Sequence, residues 1–167
     1  MDWLEGSRIL IREIPGPQPY ALQAAYVEET YCNYKTILNV SPLPNPTFSM
    51  MFLTGVLNSR LISFLYPLVS TKMVAQTFPR MSVRDLKQLP IRTLDLTIPA
   101  QKAQHDRMVQ LVEQMLKTKA QVSTAKTESE RTYLEDKCAG LDRQIDQLTY
   151  DIYDLTPEEV ALVEHGT

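Results

Sequence analysis

Asn45-Pro46-Thr47-Phe48 is the segment of this sequence nearest in type and spacing to a reacting site. It stands one substitution from the Asn-Pro-Pro-aromatic pattern that holds a flipped adenine, where the amide and a carbonyl accept the target amino group and the ring stacks on the base. The second proline is missing, no apolar strand leads straight into the segment, and no glycine-rich loop precedes it. The segment is read as a proline- and asparagine-fixed turn before a helix. His105 and His165 stand far apart with no His or Cys at metal spacing, and they are read as surface histidines. Cys32 and Cys138 form no CxxC pair, so two reduced, partly buried thiols are expected, as in a cytoplasmic protein. The five glycines are scattered, and no GxSxG, GxxxxGK[ST] or HExxH motif occurs. The expectation is a chain without a catalytic centre, a metal site or a cofactor of its own.

The other chemistry is cationic. The net charge of −3 hides an uneven distribution: residues 1–99 sum to +2 and residues 100–167 to −5. Between positions 60 and 92 stand Arg60, Lys72, Arg80, Arg84, Lys87 and Arg92, with Asp85 as the single acid, giving +5. A local basic patch matters more for phosphate contact than the overall charge does. Arg and Lys suit phosphates and the guanine edge, and Asn and Gln suit adenine. The candidate DNA contacts are therefore Lys35, Asn45, Lys72, Gln76, Arg80, Arg84 and Lys87, which fall in loops or a short helix. Arg12 is left open between a structural pair with Glu13 or Glu28 and a DNA contact. Asn58-Ser59, inside an apolar run, is read as helix packing or hydrogen bonding.

These side chains need a scaffold. At 44% hydrophobic and 22% charged residues, the composition is that of a globular chain. Arg8–Ile14 alternates Ile9 and Ile11 with Arg8 and Arg12 as a strand does, and Pro15-Gly16-Pro17 ends it. Tyr20–Val27 and Thr36–Val40 are further strand candidates. Leu53, Val56, Leu57, Leu61, Phe64 and Leu65 fall at helical spacing, with Pro67 as the expected stop. A lipid-spanning helix there would bury Arg60, so the stretch from Met50 to Val69 is read as a soluble core helix, and no membrane partner is expected. The N-terminus, Met1 to Arg12, lacks the apolar region of a signal peptide. Ser82 with Asp85 predicts a capping box for a turn over Val83 to Lys87, and Leu89-Pro90-Ile91 should be extended.

From Pro99 onward the pattern is helical. Met108, Leu111, Val112, Met115, Leu116 and Val122 mark one stripe, which Lys119 interrupts. Thr127 to Glu130 predicts a capping box and a new helix. Leu134, Cys138, Leu141, Ile145, Leu148, Ile152 and Leu155 then repeat at alternating steps of four and three, a heptad seam. Thr156-Pro157-Glu158-Glu159 starts a last short helix. Leu134, Leu141, Ile145, Leu148 and Ile152 are the expected helix-packing or partner-docking residues. Two tails aligned antiparallel in a homodimer, and a hairpin closed within one chain, both remain open.

Taken in order, RILIREI, LTGVLNSRLISFLYP, FPRMSVRDLKQLPI and LDRQIDQLTYDIYDLTPEEVALVE resemble the TaqI-like C-terminal specificity domain that closes many adenine-specific DNA methyltransferases and fused restriction-methylation enzymes. The tail shows an Ile-Asp pair, aromatics at Tyr150 and Tyr153, and a Leu-Thr-x-Glu-Glu stop. The resemblance implies an α+β fold: a mixed α/β target-recognition domain over residues 1–98, then a coiled-coil-like helical hairpin over 99–167. It implies double-stranded DNA and a methyltransferase or restriction catalytic domain or subunit as partners. S-adenosylmethionine is expected in that catalytic domain, not in this chain. Between Pro15 and Phe48, where recognition loops diversify, nothing resembles the family pattern, so the target sequence is not legible.

Overall fold

A computed structural model describes residues 6–30, 32–42, 49–70 and 80–166. It is an α+β fold. Strands β1 (Arg8–Arg12), β2 (Ala24–Val27) and β3 (Ile37–Val40) form an antiparallel sheet in the order β2-β1-β3. Among the described residues six helices follow: α1 (Met50–Leu57), α2 (Arg60–Val69), α3 (Val83–Gln88), α4 (Pro99–Thr124), α5 (Glu128–Ile152) and α6 (Pro157–His165). The alternation read in β1 holds at Ile9 and Ile11, which are fully buried on the face toward α1. Arg8, expected on the polar side, is covered as well, with 1% of its surface exposed.

The predicted single helix around Leu53–Leu65 is two helices, bent by 74°. Asn58-Ser59 makes the break. Ser59 is the N-cap of α2: its Oγ accepts from the Ile62 N–H at 3.4 Å and donates to the Val56 carbonyl at 2.7 Å. Asn58 turns its amide to the sheet, where Oδ1 accepts from the Ala24 N–H (2.9 Å) and Nδ2 donates to the Ala24 carbonyl (2.8 Å). One side chain thus pairs with edge strand β2 as a neighbouring strand would, blunting that edge. Ser59→Ala should cost about 1–2 kcal/mol, the usual loss of a capping hydroxyl, read from urea unfolding; an unchanged midpoint would contradict the capping role.

Pro67 does not stop α2, which runs on to Val69. A proline at this position removes the bond to the carbonyl four residues back, that of Ser63. Gln18 supplies the replacement, its Nε2 donating to the Ser63 carbonyl at 3.3 Å. Among the described residues no single helix is long and apolar enough to cross a membrane.

The three caps predicted from sequence form. Ser82 and Asp85 make a reciprocal capping box on α3, and Thr156 and Glu159 make one on α6. At α5, Thr127 accepts from the Glu130 N–H, but the Glu130 carboxylate returns to the Lys126 N–H, one residue earlier. Helices α4 and α5 pack along their length as the expected hairpin. Just before the interruption at Lys119, Thr118 is buried and returns its hydroxyl to the Gln114 carbonyl.

The seam lies inside this chain: Leu134, Cys138, Leu141, Ile145 and Ile152 are buried and Leu148 is half-buried. One apolar core joins Ile9 and Ile11 of the sheet, Phe52 and Val56 of α1, Met108 and Leu111 of α4, and Leu141 and Ile145 of α5.

Candidate nucleic-acid interface

At its C-terminal end β1 gathers three other segments. The Arg12 N–H donates to the Gln23 carbonyl (3.1 Å), the Glu13 N–H to the Thr36 carbonyl (2.9 Å), and the Met81 N–H to the Glu13 carbonyl (2.7 Å). These bonds bring Gln23, Lys35 and Arg80, or their chain neighbours, around Arg12 and Glu13. All the cations here are exposed. Arg80 approaches Glu13 at 3.8 Å with its own side chain more than half exposed, so that pair holds it loosely. Lys35 Nζ lies 5.8 Å from the ring centre of Tyr34, which is itself 70% exposed. Exposed aromatics among cations suit stacking on bases.

Helix α3 continues this surface along β3. Arg84 and Lys87 are exposed and three residues apart, so they share a face. Lys87 borders a cleft of about 350 Å³ with Val83 and Leu86 on one side and Asn39 and Val40 of β3, with Ser41 after it, on the other. The acid within α3 does not oppose them. Asp85 is 2% exposed, and its Oδ2 accepts both the Ser82 N–H (2.8 Å) and the Ser82 hydroxyl (2.6 Å).

Of the sequence-predicted contacts, Lys35 and Arg80 thus each adjoin a residue bonded to Glu13 at the end of β1, and Arg84 and Lys87 share α3. Asn45, Lys72 and Gln76 lie outside the described residues, as does Asn45-Pro46-Thr47-Phe48. Two bases counted in the +5 segment belong elsewhere. Arg60 is paired with Asp146 and Glu164, and Arg92 with Asp154 at 2.6 Å. Tail acids neutralise both, so the outward-facing charge is narrower than the sequence count. Arg12 pairs with neither Glu13 nor Glu28: its Nη1 donates to Gln23 Oε1 at 2.6 Å. Arg12, Gln23 and Tyr34 escape sequence reasoning as a group because only the sheet register joins them.

The Arg60 pairing is one centre of a network that holds this surface in place. Asp146, on α5, accepts the first N–H of α2, that of Arg60, at Oδ1 (2.8 Å) and the Tyr20 hydroxyl at Oδ2 (2.8 Å). A carboxylate at a helix N-terminus is favoured by the helix dipole. The Arg60 guanidinium lies over the Tyr20 ring, 5.4 Å from its centre, and also binds Glu164 of α6. Glu164 accepts the Tyr150 hydroxyl at 2.7 Å. Tyr153 donates to the Pro90 carbonyl (2.8 Å) and accepts from the Arg92 N–H (3.1 Å), tying α5 to the strand-like segment after α3. The tail's Ile-Asp pair and its two tyrosines are therefore the residues that clamp α2 and the end of α3.

Burial pushes the Tyr20 phenol up to about 12, opposed by the hydrogen bond with Arg60 and aided by Asp146. Burial raises Tyr150 too, helped by Glu164. A phenol that keeps its proton more tightly when folded contributes stability that is complete below pH 10 and lost as pH climbs toward its folded value. Stability should fall between pH 10 and about 12, and Tyr20→Phe should flatten that fall in urea titrations. A steeper fall in the variant would contradict the assignment.

His105 is not a surface residue. It stacks on Phe52 with ring centres 5.2 Å apart and is 9% exposed. Its Nε2 accepts from the Ser49 N–H at the start of α1 (3.2 Å), which leaves Nδ1 to donate to Asp106 Oδ1 (3.0 Å). Its position on α4 opposite α1 explains the burial, and i, i+3 spacing with Met108 was the available signal. Cys138 is buried in the seam and burial raises its thiol, whereas Cys32 is exposed.

The model of the TaqI-like C-terminal specificity domain matches residues 1–91, more than half of the chain. The chain belongs to this family. The matched part of the specificity domain runs from β1 through α3 and thus contains the whole of the basic surface described above. It also contains Tyr20, Ser59 and Arg60, which the tail holds through Asp146 and Glu164. The chain is also 30% identical over 118 residues to a protein of Methanocaldococcus jannaschii named "Putative type II restriction enzyme and methyltransferase". The alignment takes in 70% of the specificity domain's chain and 9% of that protein's length. No solved structure matches.

Proposed function

We propose that this specificity domain reads duplex DNA for a restriction-modification system and carries no catalysis of its own, its role being to position a methyltransferase or restriction catalytic domain on a short site. The observation that carries the reading is the convergence of Lys35, Arg12 and Arg80 at the end of β1, extended by Arg84 and Lys87 on α3, within the family-matched residues. Cations on a strand, on a short helix and on the segments bonded to them supply phosphate contacts that fix orientation, and donors among them reach base edges. S-adenosylmethionine would serve the partner catalytic domain, with adenine as the methylated base. The relative's name, which joins restriction and methylation, supports this setting.

Anisotropy of a labelled duplex, titrated with the chain at low and at moderate salt, tests the reading. Binding at low salt that weakens steeply as salt rises is expected, because phosphate contact releases counterions. No binding to any duplex at low salt would overturn it.

The heptad seam gives little support to an assembly role, because its residues are already covered within one chain. Leu141→Lys should therefore act on folding, lowering the melting midpoint. A variant that stays folded but changes the mass seen by light scattering would restore the assembly reading.

A further inference from the structure

We infer that Arg12 reads a guanine edge of the duplex and that Gln23 is its positioning residue. This rests on the DNA-recognition reading above and adds to it a division of labour between base reading and phosphate contact. Arg12 ends β1, and its side chain, on the face opposite Ile9 and Ile11, is exposed. Gln23 holds it twice: the backbone carbonyl accepts from the Arg12 N–H at 3.1 Å, and Oε1 accepts from Nη1 at 2.6 Å.

Gln23 in turn lies against the loop at Gly16. A Cβ at Gly16 would come within 2.5 Å of Gln23 Nε2, so the glycine leaves room for the amide, and the Gly16 N–H closes the loop onto the Ala21 carbonyl (2.8 Å). The series Gly16, Gln23, Arg12 biases the orientation of one guanidinium. One Nη1 hydrogen is engaged, and the second Nη1 hydrogen and both on Nη2 remain for a ligand.

A phosphate needs a positive charge nearby, whereas guanine O6 and N7 need two donors in a set plane. Orienting a guanidinium in advance favours base reading, which needs two donors in one plane, more than phosphate contact, which a point charge also satisfies. Lys35, Arg84 and Lys87 are exposed, without such a double tie among the described residues, and they supply the phosphate contacts.

Selection from a duplex library with a randomised centre, using the whole 167-residue chain, tests this. The wild-type chain should enrich a motif containing guanine. Arg12→Gln should lose the guanine preference at one position, by about 5- to 150-fold, with the rest of the motif and the melting midpoint unchanged. Gln23→Ala should blur the same position alone. Gln23→Glu, which keeps the acceptor, should keep the guanine even though its charge weakens overall binding. Identical motifs from wild type and Arg12→Gln would overturn the base-reading role while leaving DNA recognition intact. If the wild-type chain binds no duplex, or binds without enriching any motif, sequence reading itself fails and this assignment with it.

Discussion

Asp146→Ala should destabilise the fold by about 3 kcal/mol, since removing one member of a buried ion pair leaves the other uncompensated. The value stands at the lower end of the usual range because the Arg60 side chain is a quarter exposed and keeps Glu164. A domain of this size has only about 5–15 kcal/mol in hand, so the loss is a large share. The effect passes beyond the pair. Asp146 also holds the first N–H of α2 and the Tyr20 hydroxyl, so the α2 N-terminus and the loop before β2 should loosen together. Asp146→Asn retains an acceptor for the Arg60 N–H and should cost less.

Burial raises the Asp146 carboxyl above its ordinary 3.8, against the hydrogen bonds from Arg60 and Tyr20 that lower it. The folded chain then binds this proton more tightly than the unfolded chain. The group's contribution is complete below pH 3.8 and shrinks as pH rises through the folded value. The advantage of wild type over Asp146→Asn in urea unfolding should therefore narrow as pH rises above about 4. An advantage that widens over that range would contradict the assignment.

The second large effect concerns binding. Arg84→Ala with Lys87→Ala should weaken duplex affinity by roughly 10- to 100-fold at low salt and reduce the salt slope by about two, one for each phosphate no longer neutralised. Both side chains are exposed on a helix held by its own capping box, so the melting midpoint should not move. A matched decrease in every duplex sequence is expected, because phosphate contacts carry no sequence information. An unchanged salt slope would remove α3 from the interface.

Much of this scaffold is legible from local rules. The caps at Ser82, Thr127 and Thr156, the proline that opens α4 and the seam from Leu134 to Ile152 each rest on spacing within one segment, and each appears where the pattern puts it. What the sequence does not disclose depends on packing between distant segments. The break at Asn58-Ser59 follows from an amide that pairs with Ala24, thirty-four residues away. The passage of α2 through Pro67 needs Gln18. The basic segment is narrower than its sequence suggests because the partners of Arg60 and Arg92 lie in the tail, at Asp146, Glu164 and Asp154. His105 reads as a surface residue in the sequence because its cover, Phe52, lies on another helix. The cluster of Arg12, Gln23, Lys35 and Arg80 is invisible until the register of β1 with β2 and β3 is known.

If the specificity domain reads DNA as proposed, the duplex lies across the end of β1 and along α3. Amide chemical-shift mapping of the whole chain, titrated with a duplex at low salt, tests this most directly. Shifts should concentrate at residues 12–13, 23, 33–36 and 80–88, with the far end of the α4–α5 hairpin around Lys126 unaffected. Shifts confined to the hairpin, or the absence of any shift at saturating duplex, would contradict it.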